Sequence, residues 1–253
     1  SSGVAGGGIY HVGDRLVIED SLVAENSSDY GGGLLFYDLS QGVIEDPLVI
    51  IGSHFLNNTA QHSGGGIRAA DSPITVIDSS ISGNSAIHGG GGGFSLFLCR
   101  LQISGSTVSN NSALGEVDDA NLGPGGGGIN IYGGLDAKNS TISGNYSVTD
   151  GGGIRGEQTA VWLTSTTITA NTAASAGGGM SLVSQDWLAE DDQGWLTGTL
   201  IAGNSAATGP EVHFGPYVTV TSHGDNLFGH TGNAGLVGLS QAADDIVPTA
   251  TLV

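Results

Sequence analysis

Cysteine, basic residues and long apolar runs are all scarce in this chain. Cys99 is the one cysteine among 253 residues, which excludes an intrachain disulfide and any multi-cysteine metal site. Lys and Arg number 5 against 24 Asp and Glu, a net charge of −19. Phosphate binding needs clustered cations, so a nucleic-acid surface is excluded. No apolar run approaches the ~18 residues of a membrane-spanning helix. Helix formers are few and glycine penalises helices by about 1 kcal/mol per position, which argues against long helices. The 46 glycines do not fall at every third residue, so the chain is not collagen-like. Hydrophobic residues make up 38 % and recur regularly, unlike acidic disorder. The chain opens at Ser1 without Met or a signal peptide and reads as a mature or excised segment.

What is present is a repeat. Seven segments share a frame around Asn26, Asn58, Asn84, Asn111, Asn145, Asn171 and Asn204, spaced 32, 26, 27, 34, 26 and 33 residues apart. Three residues before each stands an apolar side chain: Val23, Phe55, Ile81, Val108, Ile142, Ile168 and Ile201. Five before stands a hydroxyl, from Ser21 to Thr199. Eight and ten before stand pairs such as Ile50 with Leu48, Ile103 with Leu101 and Leu163 with Val161; Gly194 is the exception. Apolar residues two apart are strand periodicity. A second landmark is a glycine run before an apolar residue, from Gly6-Gly7-Gly8-Ile9 to Gly177-Gly178-Gly179-Met180. One such unit cannot bury its apolar side alone, whereas stacked units can.

The frame predicts an all-β parallel β-solenoid of about seven three-strand coils over residues 1–215, with a degenerate last coil and cap over 216–253. The recurrent Asn is expected at a left-handed corner, with amides bonding from coil to coil. The glycine runs are expected at corners closed to other residues. Ser140-Thr141-Ile142-Ser143-Gly144-Asn145 followed by Gly151-Gly152-Gly153-Ile154 resembles the right-handed, single-stranded parallel β-helix repeats of bacterial surface proteins. The Gly-Gly-apolar runs with the recurrent Asn are similar to the repeats of polymorphic outer-membrane proteins and related adhesins. The tail Ser222-His223-Gly224-Asp225-Asn226-Leu227-Phe228-Gly229 resembles the end of large secreted β-helix proteins with a C-terminal anchor. Handedness follows from the crossover preference of parallel strands and from this resemblance. The resemblance implies a secreted or cell-surface location; it speaks weakly for function, because the scaffold carries lyases, hydrolases and adhesins alike.

Candidate sites lie where the frame is broken or faces outward. Insertions stand at 38–46, 113–124 and 184–193. The acidic members Glu116, Asp118, Asp119, Glu190, Asp191 and Asp192 are candidate Ca²⁺ ligands, or solvated surface; no cofactor is required otherwise. His62 and His88 each stand four residues after a ladder Asn; with Arg68 they are candidates for acid–base work, or the two histidines for binding a metal with one more ligand. Arg68 and Arg155, each just after a glycine-run apolar residue, are expected to point outward. Tyr37, Phe97 and Tyr132 share an outward slot, Trp162 and Trp195 share another, and Trp187 lies in the third insertion. Exposed aromatics on a rigid sheet stack on sugar rings, unless the loops cover them. The expected function is an adhesive or structural segment of a larger extracellular protein, binding a glycan or a surface protein. The alternative is a polysaccharide lyase or glycoside hydrolase of the β-helix type. End-to-end self-association through the N-terminal coil is expected, as in a longer rod or filament, since an uncovered solenoid end exposes apolar residues and strand edges.

Overall fold

The computed structural model describes residues 6–39, 47–115, 122–184, 193–229 and 235–248. Within them the chain is all-β, with no helices, in three sheets of 14, 8 and 6 strands whose neighbours run parallel. These long parallel stacks are consistent with a parallel β-solenoid. No helix among the described residues is long and apolar enough to cross a membrane.

The period-two apolar pairs become ladders of equivalent residues. Val23, Phe55, Ile81, Val108, Ile142, Ile168, Ile201 and Phe228 lie in register across the 8-stranded sheet. All are buried, and most are fully covered. The other wall carries Leu48, Ile74, Leu101, Leu135 and Val161, again in register and again fully buried. Parallel strands buried on their inner face favour such Val/Ile/Leu rungs, and each buried rung contributes roughly 1.5–3 kcal/mol of transfer free energy.

Three strands per repeat were expected, and three sheets are found, but the chain divides differently. The segment after the glycine run and the Leu-x-Ile segment belong to one sheet. In three repeats they run on as single strands: Phe94–Ser104, Ile129–Lys138 and Ile154–Thr164. The third sheet consists of two-residue strands just after the ladder Asn, such as Ser85–Ala86 and Ser112–Ala113. Strands this short carry no periodicity and leave no signal of their own in the sequence.

The Asn ladder is a buried amide relay. Asn111 Oδ1 accepts from both the backbone N–H and the Nδ2 of Asn84, each at 2.9 Å. Its own Nδ2 donates back to Ile81 O and on to Asn145 Oδ1, at 2.9 and 3.0 Å. The same pattern runs from Asn26 to Asn204. In each rung the backbone N–H and one Nδ2 hydrogen point toward the C-terminal end, so Asn204 needs an acceptor that is not another Asn. Buried Glu211 supplies it, taking the Asn204 amide at 2.6 Å and the Gly203 N–H at 3.1 Å. The ladder Asn was expected in the left-handed conformation. The left-handed residue is instead the one before it, as at Asn57 and Asn110. The ladder residue must aim its amide along the stack, and the corner falls one position earlier.

The glycine runs combine two requirements. Gly91, first of the three glycines before Phe94, has φ +73°. Gly92 needs no unusual φ, yet a Cβ there would lie 2.5 Å from Gly127 O and Ser112 N. Close backbone approach, rather than the corner alone, holds the run to glycine.

Candidate ligand-binding groove

The middle of the first sheet contains a defect in its register. From the glycine-run apolar residue to the next core position the sequence counts seven residues in Ile67 to Ile74, Phe94 to Leu101 and Ile154 to Val161. It counts six in Ile129 to Leu135. The strands Phe94–Ser104 and Ile154–Thr164 accommodate the additional residue as a bulge on either side of the shorter Ile129–Lys138. Leu98 and Gln158 are those residues, in left-handed conformations at φ +53° and +46°. Between them the chain passes straight through Gly133-Gly134, and two bulged repeats flanking a straight one leave a saddle.

The groove over this saddle has a volume of about 480 Å³ and is lined by Asp71, Leu98, Arg100, Tyr132, Gln158 and Trp162 with the backbone between them. Gly133 has φ +137° and packs against the Cys99 carbonyl, so the floor admits no side chain there. A Cβ on Gly134 would be 3.6 Å from both Arg100 Cγ and Trp162 Cζ3. The missing side chain therefore lets Arg100 and Trp162 meet across the intervening repeat. The Arg100 guanidinium lies 5.5 Å from the Trp162 ring centre, a cation–π contact. Leu98 is half exposed. On one wall Tyr132 hydrogen-bonds Gln158 and leans on Phe97, with ring centres 5.5 Å apart. Beyond the other wall Trp162, Trp195 and His223 form a column, with centres 5.7 and 5.6 Å apart.

Cys99 contributes to the floor with its side chain buried beneath it. Its thiol donates to Phe97 O at 3.3 Å, and burial pushes its pKa up to about 12. A thiol held protonated in this way is no nucleophile at neutral pH.

Charge is balanced around the saddle. Arg155 Nη2 pairs with Glu157 Oε2 at 2.9 Å, and Lys138 Nζ with Asp136 Oδ2 at 3.0 Å. Arg100 and Asp71 line the same groove. Three of the chain's five cations thus gather beside three carboxylates; the remaining two are Arg15 and Arg68.

The residues named from the sequence are placed as follows. Phe97 and Tyr132 are register neighbours at the groove, whereas Tyr37 is separated from Phe97 by Ala70 and stands apart. Arg155 was expected to point outward but is buried, with its guanidinium against Gly123 and an Asn130 Oδ1 contact at 3.4 Å. The segment leading into the preceding repeat's glycine run, at Gly123 and Gly125, folds over that slot. Arg68 hydrogen-bonds Ser63 and lies 4.7 Å over the Tyr30 ring, on which His62 also stacks at 4.8 Å. His88 is exposed one repeat further on. Glu116, Asp118, Asp119, Trp187, Glu190, Asp191 and Asp192 lie outside the described residues. Among the described residues no three His, Cys, Asp or Glu side chains gather as a metal site. Sequence reasoning missed Asp71, Leu98, Arg100 and Gln158; the one-residue shortening between Ile129 and Leu135 was the signal that marks them.

No protein-family model, curated protein or solved structure matches this chain. Fold and groove together define it as an all-β protein of long parallel strand stacks with an aromatic-walled groove on its outer surface.

Proposed function

We propose that the chain is a right-handed, single-stranded parallel β-helix of about seven coils, a rigid adhesive segment of a larger extracellular protein, and that it binds glycan through the Tyr132–Trp162 groove. The observation that carries this reading is the groove itself. Tyr132 and Trp162 both line it along with Gly133 and Gly134, beside an amide, a guanidinium and a carboxylate. Aromatic faces suit the C–H faces of sugar rings, and the polar groups suit their hydroxyls. The enzyme reading is less favoured because its acid–base candidates, His62 and Arg68, converge on Tyr30 and not on this groove. The test is a glycan array probed with the wild-type chain and with Trp162→Ala, run beside a reducing-end assay on the same polysaccharides. Retention that is lost in the variant supports the proposal. Turnover of any polysaccharide would replace it with the lyase or hydrolase reading.

A further inference from the structure

We propose that the saddle over Gly133-Gly134 takes an uncharged pyranose ring, so that the glycan is a neutral one; this rests on the glycan-binding reading above. The argument is electrostatic. In a chain of net charge −19, a site with no charge preference of its own would be expected to stay acidic. Here Arg155–Glu157 and Lys138–Asp136 are closed pairs, and each cation is already matched. Arg100 lies against Trp162 and shares the groove with Asp71. An anionic sugar would meet one partly occupied cation inside a strongly negative field. A cationic ligand would have to approach the Arg100 guanidinium, with Asp71 the one lining carboxylate to offset it. A neutral ring meets neither cost, and such a site exchanges hydrogen bonds instead of charge.

The polar groups divide the work. Among the described residues the Asp71 carboxylate has no hydrogen-bond donor of its own, so it is free to accept from sugar hydroxyls. Gln158 commits its Oε1 to Tyr132 and keeps its Nε2 to donate. Tyr132 and Trp162 supply apolar surface beside the floor. Asp71 and Gln158 both sit at left-handed positions, φ +56° and +46°, so their side chains are set by the same bend that makes the saddle.

The experiment is calorimetric titration of neutral tetrasaccharides of gluco, manno and galacto configuration, and of the corresponding uronate tetrasaccharides, at low and high salt. A neutral tetrasaccharide should bind with an affinity that changes by less than about twofold with salt, because no counterions are exchanged. Gly134→Leu fills the floor and should weaken it by about tenfold or more. Asp71→Asn keeps a residue that tolerates the left-handed bend and should weaken it by about fivefold. Arg100→Gln removes the groove's one cation without adding bulk to the floor; it serves should Gly134→Leu unfold, and should leave the salt response flat. Tighter binding of a uronate, loosened by salt and abolished in Arg100→Gln, would overturn the neutral assignment while leaving glycan binding intact. Failure of every tetrasaccharide to bind would overturn the glycan reading itself, and this inference with it.

Discussion

Asn111 condenses what holds the stack together. Its side chain closes four hydrogen bonds, two accepted from Asn84 and two donated, to Ile81 O and Asn145. Asn111→Ala strands buried groups on both neighbouring repeats, and each costs about 1–3 kcal/mol. The expected loss is about 3–5 kcal/mol, read as a lower urea midpoint. Asn26→Ala, at the first position of the ladder, breaks the single side-chain donation to Asn58 and should cost about 1 kcal/mol. Equal losses would refute the relay. Cys99 makes a second prediction at this scale. Its folded pKa is raised from 9.0 to about 12 by burial, so the fold favours the protonated thiol. That contribution is complete below pH 9.0 and drains away as pH rises toward about 12. Thermal melts from pH 8 upward should therefore fall more steeply for wild type than for Cys99→Ala, and parallel curves would count against it.

The elements differ in why they tolerate change. In the glycine runs the second residue faces backbone, and Gly92→Ala drives a Cβ to 2.5 Å from Gly127 O and Ser112 N. Neither atom can retreat without breaking the parallel ladder, and overpacking of this kind costs about 3 kcal/mol. Gly134→Ala makes only 3.6 Å contacts with two side chains, and should stay within about 0.5 kcal/mol of wild type. Comparing the two urea midpoints separates a structural glycine from one whose absence of side chain serves the groove. Both would read alike if the saddle were merely a packing defect.

Across the whole molecule, regular ladders coexist with a large one-sided charge. Among the described residues only Glu211 and Arg155 are buried charged side chains, and the mutual repulsion of the other acidic residues at the surface opposes the folded state. Added salt shortens the reach of that repulsion to about 8 Å at physiological strength. The melting temperature should therefore climb from low salt to physiological salt and then level off. A melting temperature that falls with added salt would mean that attractive pairs, such as Arg155–Glu157, outweigh the net repulsion.

The apolar rungs, the hydroxyl positions and the ladder asparagines were legible in the sequence because a stack repeats its chemistry at fixed spacing. Ile81, Val108 and Ile142 recur in the frame and stand in register in the fold. The expectation that Asn amides bond along the stack was legible for the same reason. The groove was not legible as a site, because its members come from four repeats and share no motif. Asp71, Leu98, Arg100, Gln158 and Trp162 are brought together only when a six-residue step is laid between two seven-residue steps. The burial of Arg155 was equally hidden, since a period-two pattern tells inner face from outer but not which outer positions the chain folds over. Periodicity determined the stack; lateral contact between unlike repeats, which no single repeat encodes, decided where its surface opens.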